Sequence, residues 1–494
     1  MILLFLSSGL FLGWSLGAND AANVFGTAVA TRMVRFRTAA IVTGVFVVLG
    51  AVLAGAGTTA TLGELGSVNA LGGSFMVALA AALSVMWMTR AGLPVSVSQA
   101  IIGGIVGWNI FTGTPTDVGS LAKIVSSWVA CPILAAGFAA ALYVAVRTLI
   151  DRVDIHLLEL DALTRYSLVA AGAFGAFALG ANNTANVMGV FVPAFPARVI
   201  LPIGGLSVST ARVLFLVGGL AIALGVFTYS QRVMQTVGKS LFKLNPVTAL
   251  VVVLAESLVL FLFASEALEG WLIARGLPPI PLVPVSSSQA VIGSVIGIAL
   301  VRRGRGVRFG VLGRVAGGWV ATPAIAAVVA FLGLFFLQNV FGVTVRRPVT
   351  FELTSSAVRR LADRGAWEPE LAGLTGTRFP DERGFREALS RETDLDAAGT
   401  AAVLAAAAID SFSIDPSGVA RLDRSILDPA QVGAVAALSS SSFRHAWEFA
   451  DALAEESDAW ARLPDSELNR SANEEIEADL RHVYDTFRVR PRAP

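Results

Sequence analysis

The sequence predicts an all-α polytopic membrane protein. It reads as an inverted repeat of about five hydrophobic segments per half with broken or re-entrant helices, followed by a C-terminal soluble helical domain. Three observations predict this. Hydrophobic residues make up 55% of the chain, charged residues only 15%, and mean hydropathy is +0.69, where a soluble domain carries about 25% charged residues. Polar blocks recur in the same order in both halves. Charge divides sharply, because residues 1–350 hold 21 basic and 10 acidic side chains and residues 351–494 hold 16 and 26.

Apolar segments fall near 2–30, 38–57, 70–89, 94–111 and 120–146, and again near 167–193, 203–228, 246–266, 284–301 and 309–341. Most reach the ~20 residues that cross a bilayer. Segments 94–111 and 284–301 are shorter, Gly-rich and begin with Pro, which marks them as candidates for re-entrant elements. The N-terminus, Met1-Ile2-Leu3-Leu4-Phe5-Leu6, lacks the basic stretch of a secretory signal and is read as the start of the first span. Residues 1–147 form the first membrane repeat, 148–166 a charged linker, 167–345 the second, inverted repeat, and 346–494 an acidic soluble tail.

The repeat rests on three blocks. Gly17-Ala18-Asn19-Asp20-Ala21-Ala22-Asn23 returns as Gly180-Ala181-Asn182-Asn183-Thr184-Ala185-Asn186. Pro94-Val95-Ser96-Val97-Ser98-Gln99-Ala100 returns as Pro284-Val285-Ser286-Ser287-Ser288-Gln289-Ala290, and Trp128-Val129-Ala130-Cys131-Pro132 as Trp319-Val320-Ala321-Thr322-Pro323. Five segments are an odd number, so the second copy enters from the opposite side, a common plan of secondary transporters with a midplane site. With the N-terminus outside, the expected inner loops hold Arg32, Arg35, Arg37, Arg90, Arg147, Arg152, Arg165, Arg232, Lys239, Lys243, Arg302, Arg303, Arg305, Arg308 and Arg314. The outer side keeps Lys123, Arg198, Arg212 and Arg275, as the positive-inside rule requires. Arg346 and Arg347 argue the other way for the tail.

The polar blocks point to ligand chemistry. A charged Asp at the bilayer centre costs roughly 3 kcal/mol on insertion scales, so a cluster kept twice has a use. Glycine at its N-terminal side predicts that the helix unwinds there, freeing backbone groups beside the amides of Asn19, Asn23, Asn182, Asn183 and Asn186. Asp20 suits a hard cation or a proton. In the second block, Pro starts a helix, and the N–H groups and hydroxyls around Ser96, Ser98, Gln99, Ser286, Ser288 and Gln289 favour an anion at the open N-terminus. Two such ends facing across a pseudo-twofold enclose a tetrahedral oxyanion. Interhelical glue and plain Ser capping are the bland alternatives. Glu256, a lone carboxylate in an apolar segment, is a coupling candidate, and Lys123 with Arg314 attract anions or snorkel.

Enzyme chemistry finds little support. Three His and one Cys, Cys131, give no metal cluster or nucleophile motif. The tail shows helical signals over 394–409 and 443–461 and reads as a regulatory or oligomerisation domain.

The blocks also resemble a known family. Gly17–Asn23 followed by Gly26-Thr27, its second copy Gly180–Asn186, and the Pro-x-Ser blocks at Pro94 and Pro284 are similar to the inorganic phosphate transporter (PiT) family, which includes sulfate permeases. The resemblance covers most of 1–345 and leaves the tail out. It implies cation-coupled import of inorganic phosphate, or of sulfate, by a symporter of the plasma membrane. Asp20, Asn23, Asn183 and Asn186 would lie at substrate and cation sites, with Asp20, Asn23 and Asn186 as Na⁺ ligands, and Ser96 and Ser286 at helix N-termini. No cofactor is expected beyond Na⁺ or H⁺ as coupling ion. Expected partners are the oxyanion and membrane lipid, no nucleic acid, with a homodimer left open. Asn183 stands where the family usually has Asp, and Val47 where Na⁺-using members often have Glu. Both departures remove negative charge and leave H⁺ coupling and sulfate in play.

Overall fold

The computed structural model describes all residues except 1, 67, 91–94, 154, 196–198, 204–205, 235–244, 303–308, 364, 366, 396, 423, 425–426, 465–468 and 490–494. Pro94, Arg198, Lys239, Lys243, Arg303, Arg305 and Arg308 lie outside the described residues, as does the side chain of Arg314. The chain divides into a membrane unit (1–111, 116–194 and 211–346) and a second unit (112–115, 195–210 and 347–494).

The membrane unit is helical. In chain order its elements are α1 (Ile2–Ala30), α2 (Phe36–Ala54), α3 (Ala56–Leu65), α4 (Leu71–Arg90), α5 (Val97–Thr112), α6 (Val118–Arg152) and α7 (Leu157–Met188), which ends in a 3₁₀ turn. After them come α8 (Thr210–Thr228), α9 (Pro246–Leu262), α10 (Glu266–Ile273), α11 (Ser287–Val301) and α12 (Phe309–Asn339). Among the described residues, seven helices are long and apolar enough to cross a membrane, and the α9–α10 pair, bent by 64°, makes an eighth candidate. Helices α5 and α11 have 16 and 15 residues. At ~1.5 Å per residue they fall short of a ~30 Å hydrocarbon core, as expected of re-entrant elements.

Glycines set the helix pairings. A Cβ on Gly17 of α1 would lie 1.9 Å from the carbonyl oxygen of Ile222 on α8, and one on Gly225 of α8 would lie 2.0 Å from that of Trp14. The second half repeats this with α7 and α2: Gly180 would meet Val47 O at 2.1 Å and Gly50 would meet Phe177 O at 2.0 Å. Each signature helix therefore packs backbone to backbone on the second helix of the opposite half. The short helices follow the same rule. Gly103 and Gly107 of α5 seat on Pro323 and Ala327 of α12, while Gly293 and Gly297 of α11 seat on Pro132 and Ala136 of α6. Without a hydrophobic driving force between helices in lipid, such close approach is what dispersion requires. The reciprocal exchange of partners is the mark of a pseudo-twofold.

One expectation fails here. The signature segments do not unwind, because α1 and α7 run unbroken through Gly17–Asn23 and Gly180–Asn186. Both are rich in Ala, the best helix former, and their glycines serve helix contact rather than helix breaking. The non-helical backbone at the site lies instead at Val95–Ser96 and over 277–286, ahead of α5 and α11.

In the second unit a hairpin pairs β1 (Val199–Ile203) with β2 (Leu206–Ser209). The tail then builds β3 (Thr350–Glu352), α13 (Ser355–Asp363), β4 (Arg378–Phe379), α14 (Glu382–Glu392), α15 (Ala397–Ala407) and β5 (Ala408–Ile409) around one apolar core. A second core holds β6 (Phe412–Ser413), α16 (Pro416–Ala420), α17 (Pro429–Ala437), β7 (Ser442–Phe443), α18 (Ala446–Glu456) and α19 (Arg470–Phe487). The two modules are a duplication. Phe351, Leu353, Ser356, Val358, Arg360 and Leu361 recur as Phe412, Ile414, Ser417, Val419, Arg421 and Leu422. Phe379, Phe385, Ala388 and Leu389 recur as Phe443, Phe449, Ala452 and Leu453. In both, the first strand is central: β3 pairs β4 and β5, and β6 pairs β7 and bridges to Arg488. Buried His445 joins the modules through Thr354 and the Ala408 carbonyl. Burial pushes the Glu448 carboxyl up, but donors from Ser356 and the Arg444 and His445 amides prevail and hold it below the usual range.

Candidate functional site

The signature blocks place their polar side chains on one helix face, since positions three and four apart lie one above the other. Asp20 is buried at 6% exposure, and Asn182, Asn183 and Asn186 at 2% or less. Both clusters converge on the starts of α5 and α11. On the α1 side, Ser287 Oγ donates to Asp20 Oδ2 (2.8 Å) and accepts from Asn23 Nδ2 (3.0 Å). On the α7 side, Asn186 Nδ2 donates to Ser98 Oγ (2.8 Å) and to Asn183 Oδ1 (3.0 Å). Asn182 holds the extended chain before α11 with both amide groups: its Nδ2 donates to Val285 O (2.7 Å) and its Oδ1 accepts from Val285 N (2.9 Å).

The two helix starts are tied to each other. Ser98 Oγ donates to Val285 O at 3.1 Å, and Ser288 Oγ donates to Val95 O at 3.3 Å. These two bonds are equivalent under the repeat, so the pseudo-twofold passes between the N-terminal ends of α5 and α11. Ser96 and Ser286 act as N-caps, each accepting from the amide three residues on, Gln99 N and Gln289 N, at 3.3 Å. The remaining first-turn amides, the serine hydroxyls and the aligned peptide dipoles make this junction a favourable seat for an anion.

Glu256 completes the charge of the site. It is 1% exposed, neither carboxylate oxygen has a hydrogen-bond partner among the described residues, and it is close enough to Asp20 and Cys131 to act on them electrostatically. Cys131 in turn donates its S–H to Ser286 O at 3.6 Å. Two carboxylates buried without a counter-charge among the described residues are costly; a cation or proton bound there would offset that cost.

The structure thus brings together Asp20, Asn23, Asn182, Asn183, Asn186, Ser96, Ser98, Gln99, Ser286, Ser288 and Gln289. Asn19 differs. It is half-buried and makes no side-chain hydrogen bond to a described residue, although its counterpart Asn182 is fully engaged. Asn183 turns one amide bond back to Leu179 O, 3.1 Å away on its own helix. Sequence reasoning missed Ser287, which bridges Asp20 and Asn23. The signal was present, because position 287 is Ser where the first block has Val97. It missed Cys131 too, whose counterpart Thr322 bonds within its own helix to Gly318 O. Among the described residues no group of three His, Cys, Asp or Glu forms a metal cluster.

Comparison with known proteins bears on this geometry. The sequence model of the Phosphate transporter family matches residues 16–330. A protein of Methanocaldococcus jannaschii named as a phosphate permease is 28% identical over 324 residues, covering 65% of this chain and 93% of its own length. A sulfate permease of Bacillus subtilis is 27% identical over 346 residues, covering 68% and 88%. A solved structure described as the sodium-dependent phosphate transporter superposes with a TM-score of 0.54 at 21% identity, covering 68% of this chain and 98% of its own.

Proposed function

Because the chain belongs to the phosphate transporter family, which makes it a multi-pass membrane transporter and not an enzyme, we propose that it is a secondary active symporter. It imports inorganic phosphate across the plasma membrane together with a cation. The observation that carries the reading is the reciprocal pair of bonds, Ser98 to Val285 and Ser288 to Val95, which sets two half-helix N-termini face to face beside two buried carboxylates. Anion and cation then share one site. The first-turn amides and hydroxyls of α5 and α11 take the oxyanion. Asp20, Asn23 and Glu256 take Na⁺ or H⁺, with Asn186 on the opposite half as a further oxygen ligand.

Coupling has a physical cause. Each negative charge entering against an inside-negative potential is opposed by about 2.3 kcal/mol per 100 mV, so accumulating a dianion requires cations to enter with it. Two oppositely inserted halves supply the alternation of access. The family resemblance and the name of the structural neighbour support phosphate and Na⁺. The Bacillus relative supports sulfate as a second reading.

Uptake of labelled phosphate and of labelled sulfate into proteoliposomes, under separately imposed Na⁺ and pH gradients, tests the proposal. Phosphate accumulation driven by one of the two gradients is expected. Binding without flux under either gradient would make the protein a receptor instead.

A further inference from the structure

The side chains of Gln99 and Gln289 do not do what their spacing predicts. Ser96-x-x-Gln99 and Ser286-x-x-Gln289 have the pattern of a capping box, in which the Gln carbonyl turns back to the N–H of the capping Ser. Only the serine half forms. The Oε1 atoms of Gln99 and Gln289 are buried and accept no hydrogen bond, in residues 1% and 2% exposed. A buried acceptor left bare costs about 1–3 kcal/mol, and the protein carries that cost at two repeat-related positions.

Each bare acceptor sits on a helix packed against one that carries a bare donor. Helices α11 and α6 touch in parallel register, Gly293 on Pro132 and Gly297 on Ala136. One turn back, the same register sets Gln289 opposite Trp128. Gly103 on Pro323 and Gly107 on Ala327 likewise set Gln99 opposite Trp319. The indole Nε1–H groups of Trp128 and Trp319 are buried and donate to none of the described residues. Each short helix thus begins with one unmet acceptor, and the long helix it packs on carries one unmet donor. A group that both gives and takes a hydrogen bond satisfies such a pair. A P–OH beside a P–O does so, whereas sulfate at neutral pH has only acceptor oxygens and would set lone pairs against the Gln carbonyls.

We propose that Gln99 and Gln289, with Trp128 and Trp319, are specificity-determining residues that select a protonated tetrahedral oxyanion, HPO₄²⁻ or H₂PO₄⁻, over sulfate. This rests on the reading of the α5 and α11 N-termini as the oxyanion site. Sites built to bond a substrate hydroxyl reject analogues lacking it by large factors.

The test is displacement of labelled phosphate from the purified full-length protein. Arsenate, which is protonated like phosphate, is expected to displace it at phosphate-like concentrations, with sulfate needing about 100-fold more. The double variant Gln99→Met/Gln289→Met should narrow that gap at least tenfold, and the single variant Gln289→Met should narrow it in part. Wild-type protein from which sulfate displaces phosphate as readily as arsenate does would overturn the proposal while leaving the oxyanion site intact. So would Met variants that bind phosphate with an unchanged arsenate-to-sulfate ratio, the result expected if a water fills each pair. Failure of wild-type protein to bind phosphate or sulfate at all would overturn the site reading itself. If the Met variants do not fold, the wild-type comparison still decides.

Discussion

The two halves of the membrane unit share a frame and differ in charge. Gly17 on Ile222 matches Gly180 on Val47, and Ser98 on Val285 matches Ser288 on Val95. At equivalent positions, however, Asp20 answers to Asn183, Ser287 to Val97, Cys131 to Thr322, and Glu256 to a position near Ala81. The frame is held by backbone approach and by bonds to carbonyls, which tolerate no change without moving helices. The side chains between them are free to diverge, and among the described residues the buried ionisable ones, Asp20, Cys131 and Glu256, lie on α1, α6 and α9. In the proposed function, symmetry would build the cradle for an oxyanion, and asymmetry would give that cradle one charged flank suited to a cation.

The comparison breaks most visibly at Asp20. Asp20→Asn makes the two signature helices alike and is expected to reduce concentrative uptake about 100-fold or more, since cutting into a buried charge network costs 3–5 kcal/mol. Folding should survive, judged by gel filtration, and normal accumulation would show that the charged flank is idle. Glu256→Gln comes next. It should uncouple flux from the driving gradient by about tenfold while phosphate exchange persists, measured by counterflow; an unchanged gradient dependence would leave Asp20 as the lone coupling carboxylate.

A smaller effect separates Ser287 from Val97. Ser287→Val removes a donor to a carboxylate, worth about 1.5–3 kcal/mol, and should raise the half-saturating concentration of the coupling ion roughly tenfold. Val97→Ser on the uncharged flank should leave it unchanged. Equal responses would mean that the asymmetry has no part in coupling. The smallest effect probes the frame. Gly17→Ala and Gly180→Ala should each lower the thermal midpoint, with overpacking costing about 1–3 kcal/mol. Gly137→Ala on α6, whose Cβ would meet nothing within 4 Å, should raise it slightly, because Ala is the better helix former by about 1 kcal/mol. Unequal losses at Gly17 and Gly180 would show that the halves are not equivalent in packing.

The repeat, the short helices α5 and α11 and the polar blocks were legible in the sequence because each is a local pattern in composition or order. The continuity of α1 and α7 was not. A glycine in a polar block is compatible with a break and with a close helix contact, and only the position of Ile222 O or Val47 O decides between them. Ser287 stood out against Val97 in the sequence, but its role depends on Asp20 and Asn23, far away in the chain. In the tail, the helical signals over 394–409 and 443–461 match α15 and α18. The two- and three-residue strands β3 to β7 are too short to give any, and the duplication of the two modules emerges only once Phe351 and Phe412 are seen as central strands.

The central claim is that one tetrahedral oxyanion sits between the first turns of α5 and α11. Anomalous scattering at the arsenic edge from crystals soaked in arsenate tests it most directly. A single arsenic peak within hydrogen-bond reach of both Ser98 and Ser288 is the predicted result. A peak beside one helix alone, or anywhere away from Asp20 and Asn186, would contradict it.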